Sequence, residues 1–102
     1  MKIIEKLSDM IEEEINDAEK YIKCAMDNKE KRPALAETFY KLSEEEMKHM
    51  SMLHDQVAAI IAEYRKTNGD PPEAMMTVYE ILHKKHIEHA GMVKAYQLMY
   101  KG

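Results

Sequence analysis

Cysteine, glycine and proline are scarce in this chain. Its 102 residues include one cysteine, three glycines and three prolines. The single cysteine, Cys24, excludes an intrachain disulfide and also a four-cysteine metal site within one chain. The small number of glycines and prolines allows few turns, which favours a few long elements of secondary structure.

The chain also lacks long apolar runs and basic stripes. No apolar run approaches the ~20 residues that a membrane-spanning helix needs, and acidic residues follow Met1 too early for a secretory signal. The net charge of −4 gives no electrostatic support for nucleic-acid binding. With 45 % apolar and 33 % charged residues, the composition is typical of a soluble globular protein. We expect a cytoplasmic protein with one domain, residues 1–102, and with neither nucleic acid nor membrane as a partner.

Two turn signals divide the sequence into three segments. The first ends in Pro33, which suits the first position of a helix because its missing N–H would have no partner there. In the second, Gly69 can close a helix in the left-handed conformation. Asp70 can then cap the next helix, with Pro71 at its first position and Glu73 reaching back.

Apolar residues recur at steps of three and four in each segment, and strict alternation is absent. We predict helices over 2–28, 33–67 and 71–100 and no strands. At ~1.5 Å per residue these helices are about 40–50 Å long, too long for three of them to enclose a wide core alone. We therefore expect an all-α fold of three long antiparallel helices, a bundle completed by oligomerisation as a homodimer or larger assembly. The predicted inward-facing residues are Leu7, Ile11, Ala18, Tyr21 and Ala25, then Ala36, Phe39, Leu42, Met50, Leu53, Val57, Ile60 and Tyr64, then Met75, Tyr79, Leu82, Val93, Tyr96 and Tyr100.

Three ionisable residues interrupt these apolar faces at one level. Glu14 interrupts the first segment, while Glu46 and His49, three residues apart on one helix face, interrupt the second. Counted from the turn between the two helices, their heights agree to within about 6 Å. A carboxylate or imidazole that faces a core is costly unless it is paired, protonated or bound to metal. In the third segment His89 lies on the apolar face close to this level, and is a further candidate.

Other ionisable residues of the third segment leave alternatives open. Glu88 is near the same level but points about 100° away, and His86 lies on the apolar face about one turn further off. Glu80 and His83 repeat the Glu-x-x-His spacing, but about 15 Å off level and off the apolar face. Whether any of these four residues joins the site stays open. His54 is interpreted as an exposed residue.

Glu-x-x-His on a helix has a specific use in metal chemistry. The carboxylate can bridge two metal ions while the imidazole binds one of them, and a further Glu from a neighbouring helix completes half of a dinuclear site. Oxygen ligands with imidazole suit iron or manganese better than metals that prefer thiolates. Because the spacing is also common in helices without metal, a second interpretation stays open. It is a metal-free helical oligomer that acts as a scaffold or interaction module, with Glu14 paired to His49 or a lysine.

The two motifs resemble the metal-binding helices of ferritin-like proteins, in particular the rubrerythrin branch. In the first motif a ligand Glu is followed by a small residue about a turn later and by an aromatic residue seven positions on, as Glu14, Ala18 and Tyr21 are here. The second motif is the Glu-x-x-His formed by Glu46 and His49.

This resemblance covers residues 7–60 and is weak over 71–100. It implies a two-iron carboxylate site in which Glu14 and Glu46 are ligands, Glu46 is the bridge, and His49 is a terminal ligand. Such sites oxidise ferrous iron with dioxygen or peroxide, for storage or detoxification. The implied activity is therefore that of a ferroxidase-type oxidoreductase.

The chain departs from the family pattern in two respects, because it has no fourth helix and no four-cysteine rubredoxin module. Short encapsulated ferritins compensate for missing helices by dimerisation, each chain contributing one Glu and one Glu-x-x-His. In the same way, two copies of this chain related by a two-fold axis would each contribute Glu14, Glu46 and His49 to one site. No clear cargo tag follows Tyr100, so the sequence does not support encapsulation.

Overall fold

The computed structural model describes residues 1–102 and contains three α-helices and no strand. Helix α1 is Lys2–Asn28, α2 is Pro33–Asn68 and α3 is Glu73–Lys101. The predicted all-α class is confirmed, and each predicted helix end lies within two residues of the observed one. No helix combines the length and the apolar character that crossing a membrane would require.

The end of α2 depends on Gly69. Its φ is 76° and its ψ is −163°, and its N–H donates to the carbonyl oxygen of Arg65 at 3.2 Å. The positive φ agrees with the prediction. The ψ value places the residue outside the left-handed helical region, in a region that is essentially restricted to glycine.

The start of α3 differs from the prediction. Asp70 does not cap the helix, and Pro71 is not its first residue, because α3 begins at Glu73 without any side-chain cap. A residue that precedes a proline is disfavoured in the helical conformation. Asp70 and Pro71 both precede prolines, so the helix starts only after Pro72, whose ψ is 136°.

Helix α1 contributes six of the 14 buried core residues, more than either other helix, on one continuous stripe at helical spacing. The predicted inward face is only partly confirmed, because Leu7 and Tyr21 are half-buried. Ile15 and Ile22, which the prediction omitted, are completely buried. The buried stripe is therefore rotated from the predicted one. The buried residues of α1 are Ile4, Ser8, Ile11, Ile15, Ala18, Ile22 and Ala25.

The hydroxyl group of Ser43 connects all three helices. It donates to the carbonyl oxygen of Ala18 in α1 at 2.7 Å and accepts a hydrogen bond from Gln97 Nε2 in α3 at 3.0 Å. A second contact joins the same two helices, since the ring of Tyr21 in α1 stacks on that of Phe39 in α2. Tyr21 comes three residues after Ala18, whereas Phe39 comes four residues before Ser43. Contacts along α1 and α2 thus run in opposite order.

Helix α3 packs mainly against α1, and its backbone approaches that of α2 at few points. The contacts between α2 and α3 are made by side chains. The rings of Tyr40 and Tyr100 stack with centroids 5.0 Å apart, and those of His54 and His83 stack at 4.7 Å.

The bundle is long and thin, with extents of 56 × 19 × 18 Å. Its accessible surface is 6936 Å², whereas a compact monomer of this mass is expected to expose about 6,000 Å². Ten large hydrophobic side chains are exposed, six of them on α3, so a considerable apolar area is left without a partner within one chain.

The two glycines Gly69 and Gly91 give a test of the backbone geometry. A Cβ at either position would meet no atom within 4 Å, so substitution changes only backbone energetics. Gly69→Ala should destabilise the protein by about 1–3 kcal/mol because of its positive φ. Gly91→Ala, in the middle of α3, should stabilise it by about 0.5–1 kcal/mol. Thermal unfolding at matched concentrations measures both, and shifts of the same sign would contradict the described end of α2.

Candidate metal centre

The structure brings Glu14, Glu46 and His49 together between α1 and α2. One carboxylate oxygen from each Glu and one ring nitrogen of His49 lie within 4.8 Å of one another. His49 Nδ1 is 3.6 Å from Glu14 Oε2 and also 3.6 Å from Glu46 Oε2. The three side chains form a cluster with two oxygen ligands and one nitrogen ligand, which we call the carboxylate cluster.

Local helix geometry and one tertiary contact explain this convergence. Glu46 and His49 are three residues apart on α2, so both side chains lie on one face. The hydrogen bond between Ser43 and the carbonyl group of Ala18 lies about one turn away from the cluster on both helices. That contact sets the height of Glu14 on α1 relative to Glu46 on α2.

The two carboxylates are partly withdrawn from water. The side chains of Glu14 and Glu46 are 25 % and 18 % exposed, whereas that of His49 is 54 % exposed. Glu14 Oε2 is buried and has no hydrogen-bond partner. The neighbouring Glu14 carboxylate raises the pKa of Glu46 above its ordinary value, because it can accept a hydrogen bond only from the protonated form of Glu46 and because its negative charge disfavours the ionised form; burial raises this pKa further.

No basic side chain compensates these carboxylates. The ion pairs of the structure join Glu14 and Glu46 only to His49, and none joins either of them to a lysine or arginine. Two carboxylates held close together without a cation favour uptake of a proton or of a metal ion. The orphaned oxygen and the mixed oxygen and nitrogen donors fit a metal ion that prefers such ligands.

The carboxylate cluster lies on the side of the α1–α2 pair that faces away from α3. Glu14 is five residues before Glu19, which contacts α3, and His49 is five residues before His54, which also contacts α3. Five residues turn a helix by about 140°, so the cluster opens on the opposite surface. The exposed ring of His49 stands at its edge.

The structure does not bring His89 into the carboxylate cluster. His89 Nε2 lies 2.9 Å from Glu19 Oε1, between α1 and α3. This hydrogen bond is the main cause that lowers the pKa of Glu19. The other open candidates on α3, Glu80 and Glu88, are exposed and also lie outside the cluster.

His54 is half-buried rather than exposed, and its Nε2 lies 3.1 Å from His83 Nδ1. The sequence contained a signal for this contact. His54 lies 15 residues before Gly69 and His83 lies 14 after it, so the two residues are at nearly equal distances from the turn. Equal distances from the turn give equal heights but not a contact. Whether the two rings face each other depends on the side of the α1–α2 pair against which α3 packs, and the sequence does not give that side.

Compared with protein-family models, curated protein sequences and solved structures, the chain has no significant match. The interpretation of the carboxylate cluster therefore depends on its own geometry and chemistry.

The raised pKa of Glu46 predicts a specific pH dependence in metal-free protein. A carboxyl group whose pKa is raised by folding stabilises the folded state at low pH, and this contribution is lost as the pH rises through the folded-state pKa. Glu46→Gln should remove that loss. The unfolding free energy of Glu46→Gln minus that of wild type should therefore become more positive as the pH rises from about 4 to about 7.

Urea unfolding across this pH range, in the presence of a chelator, measures the effect. The matched control is Glu45→Gln, since Glu45 is an exposed neighbour in the same helix. If both variants followed the same pH profile, the described environment of Glu46 would be wrong.

Proposed function

We propose that Glu14, Glu46 and His49 bind iron as half of a two-iron carboxylate site that oxidises ferrous iron. The observation that carries this proposal is the buried Glu14 Oε2, which lacks a hydrogen-bond partner and lies 3.6 Å from His49 Nδ1. An unsatisfied buried polar atom costs about 1–3 kcal/mol, and more when charged. A bound cation would remove this cost.

The donor set supports iron, with manganese as the alternative metal. Two carboxylates and one imidazole suit either ion better than a metal that prefers sulfur. Ligand bonds of about 2.2 Å place two donor atoms at most about 4.4 Å apart. The atoms of the carboxylate cluster already lie within 4.8 Å of one another, so small side-chain rotations suffice. The resemblance of the two motifs to ferritin-like proteins supports the same three residues, Glu14, Glu46 and His49, as those that would hold the metal.

A second copy of the chain would complete the site. Three protein donors make only half of a dinuclear carboxylate centre, and the carboxylate cluster opens toward the surface rather than toward α3. Apolar residues flank it at one end, since exposed Met10 lies one turn before Glu14, and half-buried Leu53 lies one turn after His49. A two-fold axis through this face would bring two clusters together in an antiparallel four-helix bundle of two α1–α2 pairs.

The accessible surface supports such a partner. The chain exposes 6936 Å², about 1,000 Å² more than a compact monomer of its mass. A standard interface buries about 800 Å² on each partner. The surplus is therefore comparable to the area that one dimer contact would cover.

In this proposal the bound iron supplies the redox chemistry with dioxygen or peroxide. The chain's own residues do the rest. The two glutamates hold the cations in a partly dehydrated site, where their charge is weakly screened. His49, whose ring is the exposed member of the carboxylate cluster, stands where ions enter from solvent.

Iron loading tests the metal assignment. Protein supplied with ferrous iron should contain about one iron per chain, half of a two-iron site. Glu46→Ala should lose it together with oxygen-dependent ferrous-iron oxidation. Glu45→Ala, at an exposed position beside it, should retain both.

Elemental analysis and an iron-oxidation assay give the readouts. Wild-type protein that bound no iron while its oligomer stayed intact would overturn the assignment. A metal-free helical scaffold would then be the better account.

The proposed dimer face is tested by a charge at its rim. Met10 is 38 % exposed beside the carboxylate cluster, whereas Met99 is 62 % exposed on α3. Met10→Lys should convert dimer to monomer and reduce iron binding, because a lysine buried in an apolar interface without a partner is costly. Met99→Lys should leave both properties unchanged.

Light scattering coupled to size-exclusion chromatography measures the mass. A wild-type monomer, or equal effects of the two substitutions, would contradict this location of the interface.

A further inference from the structure

A cleft of ≈ 450 Å³ lies on the opposite side of the bundle from the carboxylate cluster. Three of the five histidines of the chain line it, namely His54 from α2 and His83 and His86 from α3. We call these three residues the histidine cluster. They share no residue with the carboxylate cluster.

The ring nitrogens of His54 and His83 are almost as far apart as two nitrogen ligands of one metal ion would be. His54 Nε2 and His83 Nδ1 are 3.1 Å apart, with ring planes 23° from parallel. Two nitrogens bound to one tetrahedral zinc ion at about 2.0–2.1 Å lie about 3.3 Å apart. In the absence of metal the two nitrogens share one proton. Replacing that proton by a metal ion requires almost no change in their separation.

His86 supplies a third imidazole on the same face. It is three residues after His83 on α3 and lines the same cleft. The ligand atoms of the three histidines do not all lie within 4.8 Å of one another, so metal binding requires the side chain of His86 to rotate toward the His54–His83 pair. Burial, more than any other cause, lowers the pKa of both His83 and His86. Burial thus favours the neutral imidazole, which is the form that binds metals. Asp55 also lines the cleft, next to His54 in sequence.

The surroundings support the orientation of these rings. Tyr79, one turn before His83, stacks on its ring with centroids 5.7 Å apart and a plane angle of 15°. His83 is thus held between Tyr79 and His54. Rings fixed by packing lose little further freedom when they bind an ion.

We propose that His54, His83 and His86 form a second metal site, for a divalent ion that prefers imidazole ligands, such as Zn²⁺. Imidazole donors suit Zn²⁺, Ni²⁺ and Cu²⁺, whereas the carboxylate cluster suits iron or manganese. The site joins α2 to α3, which otherwise approach each other at few backbone positions. Its metal therefore fixes α3 against the α1–α2 pair. This inference does not depend on iron binding at the carboxylate cluster.

Zinc titration of the full chain by calorimetry, after removal of metals, tests the site. Glu46→Ala is included throughout, because it removes a ligand of the carboxylate cluster and leaves the cleft intact. This protein should bind one zinc ion per chain. Adding His83→Gln should weaken binding at least about tenfold, since losing even an outer partner of a metal ligand costs that much. Adding His89→Gln is the matched control, because His89 lies on the same helix outside the cleft and should leave the affinity unchanged.

Two further measurements distinguish the loss of a zinc ligand from misfolding of the variant. His54→Gln, on the other helix, should weaken zinc binding as His83→Gln does, while circular dichroism of both variants stays that of the parent. Zinc should also raise the thermal midpoint of the parent and not that of His83→Gln. No zinc binding by the Glu46→Ala protein, or equal affinity in the His83 and His89 variants, would overturn the proposal.

Discussion

Helix α1 buries one continuous stripe of isoleucine, alanine and serine, and both other helices pack against it. Because α2 and α3 have little backbone contact with each other, the position of each is set mainly through α1. Ser43 adds a polar connection at the centre of this arrangement, with hydrogen bonds to α1 and α3. The heights of Glu14 and Glu46, and hence the carboxylate cluster, follow from that packing.

The carboxylate cluster weakens the fold that holds it. Glu14 and Glu46 interrupt two apolar helix faces, lack a basic partner, and include a buried oxygen without a hydrogen bond. Such a local violation of packing rules is typical of functional sites, where the cost is offset by stabilising packing elsewhere. The buried stripe of α1 supplies this packing, and the raised pKa of Glu46 reports the unfavourable pairing.

The two faces of the bundle carry different chemistry. The face remote from α3 combines carboxylates with apolar residues such as Met10, which suits a site shared with a second copy. The cleft beside α3 carries imidazoles, which suit a metal held within one chain. In our proposals the first cluster performs oxidation between two chains, and the second fastens α3 within each chain. Under these proposals the separation would let redox chemistry and structural support use different metals.

The three helices could be predicted from the amino-acid sequence, because Pro33 and Gly69 interrupt helical periodicity with residues whose backbone preferences are local. The sequence also indicated that Glu14, Glu46 and His49 lie at one height, since a short turn fixes the register of neighbouring helices.

The position of α3 follows from tertiary packing and could not be predicted from the sequence. Exposed hydrophobic residues occur on more than one side of α3, so its sequence does not select a single packing face. For that reason the sequence could not show that His89 contacts Glu19, or that His54 meets His83. Apolar periodicity describes which side of a single helix is buried. Which residues of two helices come into contact depends instead on how α2 and α3 both pack against the buried stripe of α1.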